Sequence, residues 1–198
     1  MPLEIEAKFL VENFAPAREA LARAGYTCTK PRTLMKRKTF TLKEKAGATI
    51  HEWARVRDEG DKVTMTYKHT HTANSAMGTE EVEAEVSSFE TASLFMEKLG
   101  FRDFLYQENY REAWDKDGVQ VTLDEWPVIG CIIEIEAPSE DLVKATARQL
   151  GFDYTAAVFG GVGALYYHKY GKDMGLVHEL TFANVADVQR FLATNTIN

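Results

Sequence analysis

Apolar and polar residues alternate with period two along most of this chain, and the alternation gives way three times to a period near 3.6. The first alternating run is Leu3-Glu4-Ile5-Glu6-Ala7-Lys8-Phe9. As a strand it puts Leu3, Ile5, Ala7 and Phe9 on one face and Glu4, Glu6 and Lys8 on the other. The Glu-apolar-Glu-Ala pattern returns at residues 81–84 and 134–137. Each copy is followed by a helix-like stretch and a Gly-aromatic stop, at Gly25-Tyr26, Gly100-Phe101 and Gly151-Phe152.

Between these copies the pattern predicts further elements. Asn13-Phe14-Ala15-Pro16 opens a helix with Ala17, Ala20, Leu21 and Ala24 as its apolar stripe. Residues 35–43, rich in Lys, Arg and Thr, form a strand of poor alternation. Residues 52–57, the turn Asp58-Glu59-Gly60-Asp61 and residues 62–69 make a hairpin, with Arg55 and Arg57 on one face of its first arm. Lys62, Thr64, Thr66 and Lys68 share a face of the second arm. Residues 71–78 read as a loop, and the strand 79–86 carries Glu81, Glu83 and Glu85 on one side. A helix capped by Ser87 or Ser88 packs Ala92, Phe95, Met96 and Leu99 inward. Strands at 105–114, 119–124 and 131–137 follow, with Asn109 and Arg111 on one parity of the first. Ser139 caps a helix over 140–150. Residues 160–163 form a turn, 166–170 a last strand or helical turn, and 184–192 a terminal amphipathic helix.

About eight strands joined mostly by hairpins point to one antiparallel sheet in an α+β fold, closing as an eight-stranded barrel with the helices packed outside. The helices then cover the apolar faces, and the charged faces line the interior. Charges enclosed in this way are costly unless they pair or bind something. A polyanion with a divalent metal suits them, because Lys and Arg grip phosphate oxygens and paired carboxylates hold hard cations. The net charge of −7 argues against broad nucleic-acid or anionic-membrane binding but leaves room for a basic pocket within an acidic shell. No apolar run approaches the roughly 20 residues of a spanning helix, and the N-terminus lacks a signal-peptide core. Cys28 and Cys131 form no motif, so a cytoplasmic location is expected.

The ordered set Glu4-x-Glu6-x-Lys8, Arg55-x-Arg57, Lys68, Glu81-x-Glu83, Arg111, Asp124 and Glu134-x-Glu136 resembles the CYTH superfamily, the triphosphate tunnel metalloenzymes. The resemblance implies a single domain over residues 1–198, with a core at about 3–170 and a helical extension over 171–198. It implies a tunnel that takes a triphosphate-bearing small molecule with Mg²⁺ or Mn²⁺, and it is compatible with a homodimer. Glu4, Glu6, Glu134 and Glu136 then fall on the metal side, supplemented by Glu81, Glu83 and Asp124. Lys8, Arg55, Arg57, Lys68 and Arg111 form the triphosphate cradle, and Glu4, Glu6, Lys8 and Arg111 carry the catalytic roles. The implied activity is hydrolysis of inorganic tripolyphosphate or of an organic triphosphate such as thiamine triphosphate. The alternatives are a class IV adenylate cyclase and a non-catalytic triphosphate- or polyphosphate-binding module.

Two positions depart from the superfamily pattern: Asn109 stands where a Lys is expected and Thr79 where an Arg is common. Lys36, Arg37, Lys38 and Lys62 are the candidates to compensate. His69-x-His71 lacks a third ligand for zinc, and the glycines at 160–163 lack the Gly-Lys-Ser/Thr of a P-loop. Trp53, Trp114 and Trp126 read as packing residues rather than base-stacking ones.

Overall fold

The computed structural model describes residues 3–41, 51–70, 77–172, 174 and 177–194; for residues 3, 4, 41, 51, 52, 70, 77–79, 102–104 and 194 it describes the backbone alone. Eight strands form a curled antiparallel sheet: β1 (Leu3–Val11), β2 (Thr27–Thr41), β3 (His51–Asp58), β4 (Val63–Thr70), β5 (Met77–Val86), β6 (Arg102–Lys116), β7 (Val119–Trp126) and β8 (Gly130–Glu136). The pairing order is β2-β3-β4-β5-β1-β8-β7-β6, and β6 returns to pair with β2. A ninth strand, β9 (Glu179–Leu180), lies parallel to β6. The α+β class and the eight antiparallel strands follow the period-two pattern; β9, only two residues long, gives no such signal.

Period two sorts the sheet into two chemically distinct faces. Helices α1 (Ala15–Ala24) and α3 (Glu140–Gln149) cover the outer face, where Ala17, Leu21, Val143 and Ala147 pack with Ile5, Ala7, Phe9, Val121, Leu123, Ile133 and Ile135. Helix α2 (Phe89–Lys98) sets Ala92 and Met96 against Phe40, Ala54 and Val56. The caps are local and readable in the sequence. Ser88 accepts from Thr91 N–H at 3.1 Å and Ser139 from Leu142 N–H at 3.3 Å, while Gly25 ends α1 at a φ of 80°.

Three features depart from the sequence pattern. Phe95 and Leu99, expected to pack inward from α2, are exposed. Strand β2 is longer than the expected 35–43, because its first half pairs with β6. Of the two readings of 166–170, strand and helical turn, the helical one holds, and the helix is longer than a turn: α4 spans Val162–Tyr170, with Gly161 as its N-cap. A last helix, α5, spans Val185–Thr194.

Helix α4 packs on the inner face of the sheet. Leu165 and Tyr166, fully buried, cluster with Leu10, Leu105, Trp126 and Ile132. These four share parity with Lys8, Asn109, Asp124 and Glu134 on β1, β6, β7 and β8 respectively, so the inner face turns apolar at this end. Three side chains of α4 tie it to consecutive carbonyls of the β7–β8 turn. Tyr166 Oη donates to Pro127, Tyr170 Oη to Val128 at 3.2 Å, and Lys169 Nζ to Ile129 at 3.0 Å. The chain reaches α4 through Val158, which exchanges backbone hydrogen bonds with Lys8 at 3.1 and 2.9 Å. It takes the β1 edge beyond Ile5, the last residue of β1 paired with β5.

Candidate functional site

The inner face collects charges from nearly every strand. On β1 and β8, Glu6 lies opposite Glu136 and Lys8 opposite Glu134. Lys8 Nζ bonds Glu6 and sits 3.1 Å from Glu134 Oε2. Burial alone would lower the Lys8 pKa, but Glu134 and Glu6 outweigh it and hold the ammonium above its ordinary value. Glu134 shows the mirror effect: burial favours its neutral form, yet Lys8 and Arg111 keep its carboxyl well below the usual range.

From Glu134 the network continues across β7 and β6. Arg111 Nη2 is 3.6 Å from Glu134. The Arg111 guanidinium donates a fork to Asp124, Nε to Oδ1 at 2.7 Å and Nη2 to Oδ2 at 2.6 Å. Asp124, 2% exposed, also accepts from Asn109 Nδ2 at 2.9 Å and Thr122 Oγ1 at 3.2 Å. Burial opposes the Arg111 charge, but Asp124 and Glu134 raise its pKa overall. Asn109, fully buried, in turn accepts from Arg37.

Strands β3, β4 and β5 supply the second arm. Arg55 stands between Thr66 and Glu83, with Nη2 at 3.3 Å from Thr66 Oγ1 and 3.7 Å from Glu83. Lys68 Nζ lies 2.7 Å from Glu81. Arg57 Nε donates to Glu59 at 2.9 Å, and Glu59 also accepts from Thr64 at 3.3 Å. Burial raises the Glu59 carboxyl, Arg57 lowers it, and the net shift is downward. Burial and the neighbouring Arg57 push Arg55 down to about 10.

The sequence-predicted residues thus fall on one face, sorted into partners. Lys8, Arg55, Arg57, Lys68 and Arg111 all point inward, with Glu6, Glu81, Glu83, Asp124, Glu134 and Glu136 among them. The backbone of Glu4 shares the parity of Glu6 and Lys8, while its side chain and that of Thr79 lie outside the described residues. The sequence reading missed Glu59 and gave Arg37 no more than a compensating role. Arg37 is signalled only by its parity with Thr39, which pairs with Arg55. Trp53, read as packing, lies on this inner face, its ring 5.8 Å from Lys68 Nζ and 6.0 Å from the Arg55 guanidinium. Trp126 is buried under α4, and Trp114 packs outside and donates to Glu112 at 2.7 Å. His69 is 3.9 Å from Glu80, and His71 lies outside the described residues.

Among the described residues, no three His, Cys, Asp or Glu side chains stand close enough to share a metal ion. The donor chemistry nonetheless suits a hard cation. Like charges directly opposite on neighbouring strands repel, and Glu6 faces Glu136 with Glu134 two residues away, all offering carboxylate oxygens.

The CYTH domain profile matches residues 2–155. The chain belongs to the CYTH family. A Methanocaldococcus jannaschii protein named as a candidate adenylate cyclase is 23% identical over 140 residues, 71% of this chain and 79% of its own length. A candidate adenylate cyclase of Vibrio parahaemolyticus shares the fold, with a TM-score of 0.67 at 12% identity over 81% of this chain and 95% of that one. A Hippeastrum protein, described as a candidate adenylyl cyclase with a dominant triphosphatase activity, aligns with a TM-score of 0.54 at 15% identity over 90% of this chain and all of that one. Among the described residues no helix is long and apolar enough to cross a membrane.

Proposed function

We propose that this protein is a divalent-metal-dependent hydrolase of triphosphates bound within a tunnel formed by the ring of eight strands. One observation carries the reading: Lys8, Arg37, Arg55, Arg57, Lys68 and Arg111 are brought from five strands onto one buried face. Such a density of cations is unfavourable by itself and favourable around a linear polyanion. CYTH membership supports it, since the family includes triphosphatases and adenylate cyclases. The dominant triphosphatase activity ascribed to the Hippeastrum protein favours hydrolysis over cyclisation.

In this reading Arg55, Arg57, Lys68 and Arg111 grip the triphosphate oxygens, and Lys8 neutralises charge on the reacting phosphate. Asp124 holds the Arg111 fork in position, with four hydrogen bonds consuming its acceptor sites. Glu6, Glu134 and Glu136, with Glu4 from the same face, would hold Mg²⁺ or Mn²⁺, and Glu81 and Glu83 balance Lys68 and Arg55. The metal supplies polarisation of the phosphoryl oxygens and neutralises charge in the transition state.

A product assay with Mg²⁺ or Mn²⁺ tests the reading, offering tripolyphosphate, thiamine triphosphate and ATP separately, with EDTA as control. Chelator-sensitive release of orthophosphate supports hydrolysis. Cyclic AMP with pyrophosphate from ATP would establish the cyclase instead, the activity in the names of the Methanocaldococcus and Vibrio proteins. Tripolyphosphate binding without any product would establish a binding module, the reading that Asn109 and Thr79 favour.

A further inference from the structure

Of the four cations weighed as replacements for the one absent at position 109, three do not face the interior. Lys36 and Lys62 are exposed, and Lys38 points outward, 3.6 Å from Glu97 of α2. Arg37 is 7% exposed on the inner face. Its Nη2 donates to Asn109, its guanidinium lies 4.6 Å from the Trp126 ring, and in register it faces Arg57 on β3 and Gln107 on β6. Its Nε is buried without a hydrogen-bond partner. Asn109 cannot neutralise it, since an amide carries no charge, and Asp124 is already committed to Arg111.

We propose that Arg37 is a phosphate-binding residue of the tunnel, supplying from β2 the cation that Asn109 does not, at the end where α4 and Trp126 stop the inner face. This rests on the reading of the tunnel as a triphosphate site. A buried donor with no partner, among other cations, is costly to leave unmade. A phosphate oxygen is the acceptor that satisfies its hydrogen bond and its charge together, and the guanidinium fork matches phosphate geometry. The Trp126 ring, 4.6 Å from the guanidinium, holds that fork in place by cation–π contact. Asn109 takes the place of a lysine by orienting Arg37 through its carbonyl and Asp124 through its amide. Burial and the neighbouring Arg55, Arg57 and Arg111 press the Arg37 pKa well below its ordinary value, as expected for a cation lacking its counter-ion.

Calorimetric titration of tripolyphosphate into the full chain tests this, comparing wild type with Arg37→Met, Arg55→Ala and the double variant Arg37→Met/Asn109→Lys. The expected result is at least a tenfold weakening in Arg37→Met, a comparable one in Arg55→Ala, and recovery to within about threefold of wild type in the double variant. An Arg37→Met affinity within twofold of wild type, with Arg55→Ala weakened tenfold, overturns the role of Arg37 and leaves the tunnel reading standing. A double variant as weak as Arg37→Met overturns the exchange between positions 37 and 109. Wild type that binds no tripolyphosphate overturns both the inference and the reading beneath it. Circular dichroism checks each fold. If Arg37→Met does not fold, Arg37→Gln decides: it keeps hydrogen-bonding capacity and loses the charge, so an affinity within twofold of wild type overturns the proposal.

Discussion

Arg37 and Arg57 stand directly opposite one another in register on β2 and β3, both buried, with Arg55 two residues along. Facing cations on adjacent strands destabilise a sheet unless an anion lies between them. Glu59 answers the charge of Arg57, but Arg37 hydrogen-bonds only the neutral Asn109, so the apo fold carries a penalty that a bound polyanion relieves. At about a hundredfold excess over its Kd, tripolyphosphate should stabilise the protein by about 2.7 kcal/mol. For a chain of this size that is a rise in Tm of roughly 5–10 °C. Arg37→Met, which removes the member of the pair bonded only to a neutral amide, should melt higher than wild type without ligand and gain less from it. Thermal melts with tripolyphosphate and with NaCl of equal ionic strength check this; equal shifts from both salts would count against a dedicated anion site.

Asp124 makes the opposite prediction. It is buried and holds the Arg111 fork by two bonds, so Asp124→Ala leaves a buried guanidinium without its main counter-charge. Breaking a buried pair on one side costs about 3–5 kcal/mol. Urea unfolding should show that loss, with tripolyphosphate recovering part of it by supplying negative charge to Arg111. A loss below about 1 kcal/mol would mean the pair is solvated rather than enclosed.

Much of this was legible in the chain because a strand has only two faces. Once Glu6 and Lys8 oppose Ala7 and Phe9, the sides of β1 are assigned, and the same parity places Arg55, Arg57, Lys68, Arg111, Glu134 and Glu136. Arg37 was not legible in this way. In Lys36-Arg37-Lys38 every residue is a cation, so alternation carries no information until pairing with β3 decides which one turns inward. Glu59 lies in a turn, outside any periodic pattern. Of helix α4 only a last strand or helical turn at 166–170 was legible, because the glycines at 160–163 read as a turn. Its packed residues Val162, Leu165, Tyr166 and Tyr170 nevertheless keep the i, i+3, i+4, i+8 spacing of a helix that buries one face.

Glu134 sets an acid limit. Its carboxyl is held below the ordinary 4.5 by Lys8 and Arg111, against the opposing effect of burial. A depressed carboxylate contributes stability that is fully present above its unfolded pKa and is lost as pH falls through the folded value. Wild type should therefore lose stability steadily as pH drops below 4.5, and Glu134→Gln should start less stable at pH 7 but fall less steeply. Denaturant titrations of both proteins from neutral pH down to about pH 3 check this. Parallel curves would show that Glu134 does not carry the dependence.

Trp53 gives a means of identifying the substrate. Its ring stands on the inner face within reach of Lys68 and Arg55, and it is only half-buried. An aromatic plane there matches the flat organic part of a substrate whose triphosphate occupies the cradle, and stacking on such a ring is worth about 1–3 kcal/mol. Trp53→Ala should then raise KM for thiamine triphosphate or ATP by about tenfold or more and leave tripolyphosphate within twofold. Steady-state kinetics on both ligand types separates the cases. An equal loss for tripolyphosphate would mean that Trp53 props Lys68 and Arg55 in place. In that case the ring serves the cradle itself, and the inorganic chain is the better candidate substrate.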